Sequence, residues 1–209
     1  MKRKRLNKAA GIGLWKVFWV CCALAWGVSA WGAGFNPLPD TGQHKCYDAS
    51  GKEITCPPPG NPMAQDGSYD AAQGKVQPSF KDNGDGTVTD NNTGLMWMKA
   101  TADTNGDNVI DSDDMLNWQD AKNYCENLIL GGHSDWRLPN IVELKTIIDY
   151  GRSDPAIDPV FSCVSSYYWS ATTDAGFTGL AWVVYFYDGG DGWYHKSNSF
   201  YVRCVRGGL

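Results

Sequence analysis

The chain has 209 residues, of which 43% are hydrophobic and 20% charged, and its formal net charge is -5 at pH 7. The first 30 residues carry six of the 18 basic residues and none of the 23 acidic ones, so the rest of the chain is strongly acidic. This balance argues against a nucleic-acid-binding surface, which needs basic patches. The remaining segment of about 180 residues is long enough to bury one core.

The N-terminal segment has the layout of a secretory signal peptide. The basic stretch MKRKRLNK precedes an apolar run, VFWVCCALAWGV, which is followed by the small residues Ser29 and Ala30. This run is shorter than the roughly 20 apolar residues that a membrane-spanning helix needs. We therefore expect residues 1–30 to be a signal peptide and the mature chain to have no membrane span. The protein would work in the periplasm, at the cell surface or outside the cell.

The next segment, residues 31–78, is rich in Gly, Pro, Asp and Gln and has little apolar periodicity. Such a composition predicts an irregular arm or linker. Cys46 and Cys56 bracket a short loop in it, and we expect them to form a local disulfide. Three cysteines follow, at positions 125, 163 and 204. In an oxidising compartment most of the five should pair, and the odd count leaves one over.

The folded domain is predicted to occupy residues 79–209. FKDNGDGTVTDNNTGLMWMK contains turn sequences between short β-forming runs. Two helices should follow. Asn117 is the predicted N-cap of the first, and Asn140 begins the second, with Glu143 at the capping-box position. The runs YYWSAT, AWVVYFY and FYVRCVR then predict strands. This order predicts an α+β fold in which two helices pack on a small antiparallel sheet.

The segment 103–114 matches a twelve-residue calcium-binding loop. Oxygen-bearing side chains stand at positions 1, 3, 5, 9 and 12, and position 7 lends a backbone carbonyl. The six candidate ligands are Asp103, Asn105, Asp107, Val109, Asp111 and Asp114. Asn108 replaces the usual Gly at position 6, but Asn tolerates the left-handed conformation needed there. We expect Ca²⁺ to bind here in a structural role; the alternative is a solvated acidic loop.

Sequence motifs of catalysis are scarce. The chain has three histidines, and none lies near a Cys or an acid at the spacing of zinc ligands. It has no G-x-S-x-G elbow, no P-loop and no dinucleotide-binding glycine fingerprint. Acidic residues are plentiful, but the acid pair of a hydrolase is defined by three-dimensional geometry. We therefore expect a protein that binds rather than catalyses.

A candidate ligand-binding stretch, YFYDGGDGWYHKSNSFY, lies near the C-terminus. It mixes rigid aromatic residues with adaptable polar ones, as binding loops do. The candidate contact residues are Tyr187, Asp188, Asp191, Trp193, Tyr194, His195 and Asn198. They would contact an extracellular polysaccharide or protein. The alternative is that they form ordinary loops and strand packing.

Several motifs in this order resemble a known family. DNGDGTVTDNNTGLMW, W-x-x-A-x-x-YC-x-x-L-x-LGG-x-x-DWRLPN-x-x-EL, YYWSAT and VRCVRGG are similar to the Lcl C-terminal domain family. That family comprises domains of bacterial exported proteins and is named for a collagen-like adhesin. The resemblance implies a C-type-lectin-like fold, although the sugar-binding motifs of true calcium-dependent lectins are not recognisable.

The same resemblance implies a disulfide between the first helix and the last strand, which carry Cys125 and Cys204. Cys163 would then be free or joined to another chain. One relative of this fold class generates formylglycine with cysteines and copper, and a single remaining cysteine makes that activity unexpected here. The resulting prediction is an exported, calcium-stabilised binding or adhesion module. The rival is a structural subunit of a surface or filament assembly that docks through residues 31–78.

Overall fold

The computed structural model describes residues 40–69 and 78–207, so the predicted signal peptide lies outside the described residues. Nine short strands, two α-helices and two 3-10 helices (Asp66–Ser68 and Ser112–Asp114) make up the regular structure of this part. The strands and α-helices are β1 (Cys46–Tyr47), β2 (Glu53–Ile54), β3 (Phe80–Asp82), β4 (Thr87–Asp90), β5 (Met96–Met98), α1 (Trp118–Asn127), α2 (Ile141–Lys145), β6 (Tyr167–Thr173), β7 (Leu180–Tyr185), β8 (Gly190–His195) and β9 (Val205–Arg206). None of the helices described is long and apolar enough to cross a membrane.

The strands form three small sheets with the orders β1-β2, β3-β4-β5-β9 and β6-β7-β8. Every pairing between these strands is antiparallel. Together with two short helices, this arrangement is compatible with the predicted α+β class. The last predicted strand is shorter than expected, since residues 200 and 201 make only isolated bridges, to Leu116 and Tyr168.

Both helices begin at the residues that the sequence predicts. The Asn117 side chain accepts a hydrogen bond from the Asp120 amide, which caps α1. Asn140 and Glu143 form a reciprocal capping box at the start of α2. Such caps satisfy backbone N–H groups that have no partner within the helix. The short α2 therefore owes its position to its cap and to Leu144, which is fully buried.

The β6-β7-β8 sheet separates two hydrophobic cores. Strand residues point alternately to opposite faces. Tyr168 and Val184 belong to the core that contains Leu144 of α2, and we call this side the α2 face. Trp169 and Val183 belong to the core that contains Cys125 of α1, which defines the α1 face. A residue on β7 or β8 can thus be assigned to a face by its register, whereas the register of β6 is irregular between Trp169 and Thr173.

The segment before the domain is more structured than an irregular arm. In residues 40–69, β1 and β2 form a two-stranded hairpin that is closed by a disulfide between Cys46 and Cys56. The segment also packs on the domain, because the Tyr150 amide donates to the Thr41 carbonyl at 2.7 Å. Gly42 has a φ of 79°, and an added Cβ would lie 2.2 Å from Oδ1 of Asp149, so the backbone conformation favours glycine here and a side chain would displace the Asp149 carboxylate.

Arg203, on the segment just before β9, is fully buried. Its guanidinium donates to the carbonyl oxygens of Met98, Lys99 and Ser162 at 2.7–2.8 Å. A buried charge is tolerated only when it is well hydrogen-bonded. This side chain therefore ties the end of β5 to the loop that precedes β6.

Candidate functional site

The acidic loop 103–114 wraps around its own backbone amides. The carboxylate of Asp103 accepts hydrogen bonds from the amides of Gly106 and Asn108 at 2.7 and 2.9 Å. Asn105 and Asp107 each accept from the amide two residues further along the chain. Asn108 adopts a φ of 66°, the left-handed conformation expected at this position. The odd-numbered positions thus turn their oxygens toward the inside of the loop.

Asp114, the last residue of the loop, is fully buried. Burial alone would raise the pKa of this carboxyl group, but hydrogen bonds from the amides of Asp111, Thr104 and Asn105 hold its pKa below the usual value. The shortest of these bonds, from the Thr104 amide, measures 2.7 Å. The carboxylate therefore closes the loop by joining its first and last turns.

The loop is fixed to the rest of the domain on two sides. Ile110 packs against the core on the α2 face, as expected of a hydrophobic anchor. On the other side the Tyr124 hydroxyl of α1 donates to the Asp103 carbonyl at 3.4 Å. Burial, with the nearby Asp103 and Asp114 charges, raises the pKa of Tyr124.

The donor atoms of the loop are all oxygens, the ligand type that Ca²⁺ prefers. Its wrapped backbone and its anchoring at Ile110 suit a calcium loop as well. In the conformation seen here, however, no three His, Cys, Asp or Glu side chains of the described residues lie close enough together to hold a metal ion. The side-chain oxygens are occupied by the amides of the loop instead.

The cysteines pair as expected. Cys125 of α1 and Cys204, just before β9, are bonded with a Cα–Cα distance of 5.5 Å, and Cys46 is bonded to Cys56. Cys163 is the one free cysteine of the described residues and is half-buried. Its sulfur lies 3.4 Å from the Tyr168 hydroxyl. The long covalent loop between residues 125 and 204 contains the whole β6-β7-β8 sheet.

The candidate ligand-binding residues divide between the two faces of that sheet. Asp191, Trp193 and His195 lie opposite Val184, Trp182 and Leu180 in the β7-β8 register, which puts all six on the α2 face. Tyr194 lies on the α1 face, and Tyr187 stacks on Tyr185 of the same face. Asp188 and Asn198 lie in turns and are exposed. The structure therefore brings together two smaller groups rather than one seven-residue site.

Aromatic rings on the α1 face pack on each other, and we call this group the tyrosine strip. It consists of Tyr167, Tyr185, Tyr187, Tyr194 and Phe200. Tyr167 is its centre, with ring centroids 4.3 Å from Tyr185, 5.2 Å from Tyr194 and 5.3 Å from Phe200. A hydrogen bond with Tyr194, together with burial, raises the pKa of Tyr167 to about 12. Most of these rings thus pack against other rings of the same protein.

A cleft of about 480 Å³ opens on the other side, at the end of β8 that carries His195, and we call it the β6-β7 cleft. It is lined by Gly176, Phe177, Thr178, Gly179, Leu180 and His195. Phe177 was missed by the sequence reasoning, although an aromatic residue in a polar, Gly-containing loop (TDAGFTG) is a signal of exposure. Its side chain is 68% exposed, and that of Trp193 is 53% exposed.

The motifs that carry the family resemblance lie on the elements just described: the β3-β4-β5 sheet, α1, the start of α2, β6 and β9. The sequence profile described as Lcl C-terminal domain matches residues 86–206, more than half of the chain. The chain belongs to the Lcl C-terminal domain family. No curated protein matches it. For an Lcl C-terminal domain, a surface or adhesion-type module is the role that the family suggests, and two disulfides are compatible with an exported protein.

Proposed function

We propose that this protein is an exported, non-enzymatic binding module that attaches to an extracellular polysaccharide or protein through the β7-β8 hairpin. Residues 1–30 would direct export, residues 31–78 would precede the binding domain, and residues 79–209 would carry it. Among the described residues, the four exposed large aromatic side chains are Tyr150, Phe177, Tyr187 and Trp193. Each lies on this hairpin or beside it.

The position of Tyr150 illustrates this clustering. It belongs to the loop after α2, yet an added Cβ at Gly189 of the hairpin turn would lie 2.9 Å from ring atom Cε1 of Tyr150. Phe177 shares the β6-β7 cleft with Leu180 and His195 of the hairpin. Three of the four lie at the two ends of the hairpin, Tyr150 and Tyr187 near its turn and Phe177 at the opposite end. Exposed aromatic residues concentrated on and around one hairpin are typical of interaction sites, whereas those scattered over a surface are not. This clustering is the observation that carries the proposal.

The proposed architecture is C-type-lectin-like. A disulfide joins the first helix to the segment before the last strand, and the last strand returns to pair with β5 near the beginning of the domain. Both features support that architecture, because they close the chain into a loop from which the β6-β7-β8 sheet extends. The binding hairpin would then be held by a covalently closed frame.

We also propose that Ca²⁺ stabilises the domain at the loop 103–114. The oxygen-only donor set, the left-handed Asn108 and the anchoring of Ile110 support this site. Asp103, Asn105, Asp107, Asp111 and Asp114 would hold the ion with side-chain oxygens, and Val109 with its carbonyl. The ion would neutralise the negative charge that this loop concentrates beside α1.

Binding can be tested with the purified exported protein on immobilised cells, polysaccharides and extracellular proteins. We expect adhesion without turnover of the bound material. The triple variant Phe177→Ala/Tyr187→Ala/Trp193→Ala should lose it. The matched control is Ile129→Ala, because Ile129 is 77% exposed and belongs to the segment after α1 rather than to the hairpin. Equal adhesion of the triple variant and the wild type would refute the assignment to the hairpin, and cleavage of the bound material would refute the non-enzymatic role.

The calcium site can be tested by thermal unfolding in Ca²⁺ and in excess chelator. A ligand that binds only the folded state raises stability by mass action, by about 2.7 kcal/mol at a hundred times its dissociation constant. We expect Ca²⁺ to raise the melting temperature of the wild type but not that of Asp103→Asn/Asp107→Asn. Identical curves in calcium and in chelator would leave the loop as a solvated insertion.

A further inference from the structure

The β6-β7 cleft has the chemistry of a binding site for an uncharged sugar, a narrower class of ligand than an extracellular polysaccharide or protein. We propose that it binds one or two pyranose residues of a neutral polysaccharide, a proposal that rests on the binding function given above. Its volume of about 480 Å³ lies within the range of about 300–1,000 Å³ that is usual for small-molecule sites.

One exposed aromatic ring lines the cleft, and a second lies further along the same strand face. Phe177 lines the cleft, and Trp193 is two residues before His195 on the same face of β8. In the described part of the chain, neither ring contacts another aromatic ring, in contrast to the tyrosine strip. The C–H face of a pyranose is apolar and carries a weakly positive surface, which matches the negative face of an aromatic ring.

Polar groups with free hydrogen-bonding capacity lie beside these rings. The Thr178 hydroxyl, the His195 imidazole and the Trp193 indole N–H make no hydrogen bond to any described residue. All three residues are exposed, so these groups are hydrated when the cleft is empty. A ligand with several hydroxyl groups can replace this water without leaving polar groups unpaired.

The charged side chains near the cleft interact with other groups of the protein. Asp174 accepts hydrogen bonds from the amides of Gly176 and Phe177 and so shapes the cleft loop. Lys196 donates to Thr173 at 2.8 Å, and its ammonium group lies 4.0 Å from the centre of the Trp118 ring. His195 is the one ionisable side chain in the lining. Sulfate, carboxylate and phosphate groups are recognised by Arg and Lys, so the cleft favours a neutral ligand.

Two glycines provide a matched pair of variants. An added Cβ at Gly179, in the lining of the cleft, meets no atom within 4 Å. An added Cβ at Gly192, which lies opposite Val183 on the α1 face, meets only the Tyr194 ring at an ordinary 3.8 Å. The Cβ of a Val at either position therefore meets no close contact. Only Gly179→Val adds a side chain to the lining of the cleft.

The experiment is calorimetric titration of the full exported protein with neutral malto-, cello- and manno-oligosaccharides. Sulfated and sialylated oligosaccharides and a proline-rich peptide serve as comparators. We expect a neutral oligosaccharide to bind with an affinity that is insensitive to salt. Phe177→Ala, Trp193→Ala and Gly179→Val should each weaken it at least tenfold, and Gly192→Val less than twofold. Thermal unfolding of each variant checks its fold.

Four results would overturn the sugar assignment: no binding of any neutral oligosaccharide, tighter binding of the sulfated ones, preference for the peptide, or equal binding by Gly179→Val. If adhesion to cells or proteins still depends on the hairpin in that case, the binding function stands and only the ligand class is wrong. If adhesion is also absent, both proposals fail.

Discussion

The β6-β7-β8 sheet and its loops carry aromatic residues on both faces, but the aromatic residues of the two faces differ in their surroundings. On the α1 face, Tyr167 contacts three other rings. On the α2 face, Trp193 and Phe177 leave more than half of their surface exposed. The contrast indicates that an aromatic residue packed against other rings stabilises the fold, whereas one with a free ring face is available to a ligand.

The largest effect should come from the disulfide beneath the α1 face. In the chain-entropy model, a cross-link over a sequence separation of 79 contributes about 4–5 kcal/mol, and one over a separation of 10 about 3 kcal/mol. We expect Cys125→Ser/Cys204→Ser to lower the free energy of unfolding in urea by more than Cys46→Ser/Cys56→Ser does. The opposite order would mean that the sheet does not depend on its covalent frame.

A smaller loss of stability should distinguish the aromatic residues of the two faces. Tyr167→Ala removes three ring contacts, each worth about 0.5–1.5 kcal/mol beyond the buried area, so it should destabilise the protein by at least about 2 kcal/mol. Trp193→Ala removes an exposed ring and should change stability by less than about 0.5 kcal/mol. Denaturant unfolding of both variants provides the measurement. Similar losses for the two would contradict the distinction between stabilising and ligand-facing aromatics.

The smallest effect is a pH dependence confined to the tyrosine strip. The pKa of Tyr167 is raised to about 12 in the folded protein, from an ordinary value of 10.0. Above pH 10 the unfolded chain has lost the proton and the folded one still holds it, so stability falls as pH rises from about 10 to 12. Below pH 10 this contribution is fully present.

The variant Tyr167→Phe keeps the ring but removes the titrating group. Its unfolding free energy should therefore fall less steeply than that of the wild type between pH 10 and 12. Absorbance of the tyrosinate form follows the titration of the residue itself. Parallel slopes for the two proteins would show that the strip does not hold the Tyr167 proton.

Local signals in the sequence predicted much of the fold. The caps at Asn117 and Asn140 are determined by a side chain and an amide three residues away, so a short stretch of sequence is sufficient to recognise them. The disulfide between Cys125 and Cys204 required the family resemblance, because a pairing over such a separation leaves no local trace. The family assignment itself is confirmed by the match over residues 86–206.

The proposed binding surface was harder to predict, and the reason is geometric. Trp193 and Tyr194 are adjacent in sequence but lie on opposite faces of a strand, so a list taken from one stretch mixes two environments. Strand alternation was visible in the sequence and separates them. Strand alternation is not sufficient to predict the cleft. Strand pairing brings the loop of Phe177 next to His195, and this pairing depends on the register of the whole sheet.

The disulfide between Cys125 and Cys204 also has a consequence for how the protein tolerates change. Both the cleft loop and the β7-β8 turn lie inside the covalent ring that it closes. Loop-closure entropy grows only with the logarithm of length, so eight residues inserted at Thr178 would cost about 0.1 kcal/mol in closing this ring. In the six-residue loop between β6 and β7 the same insertion would cost about 0.7 kcal/mol, so the covalent ring itself places little limit on the length of the cleft loop.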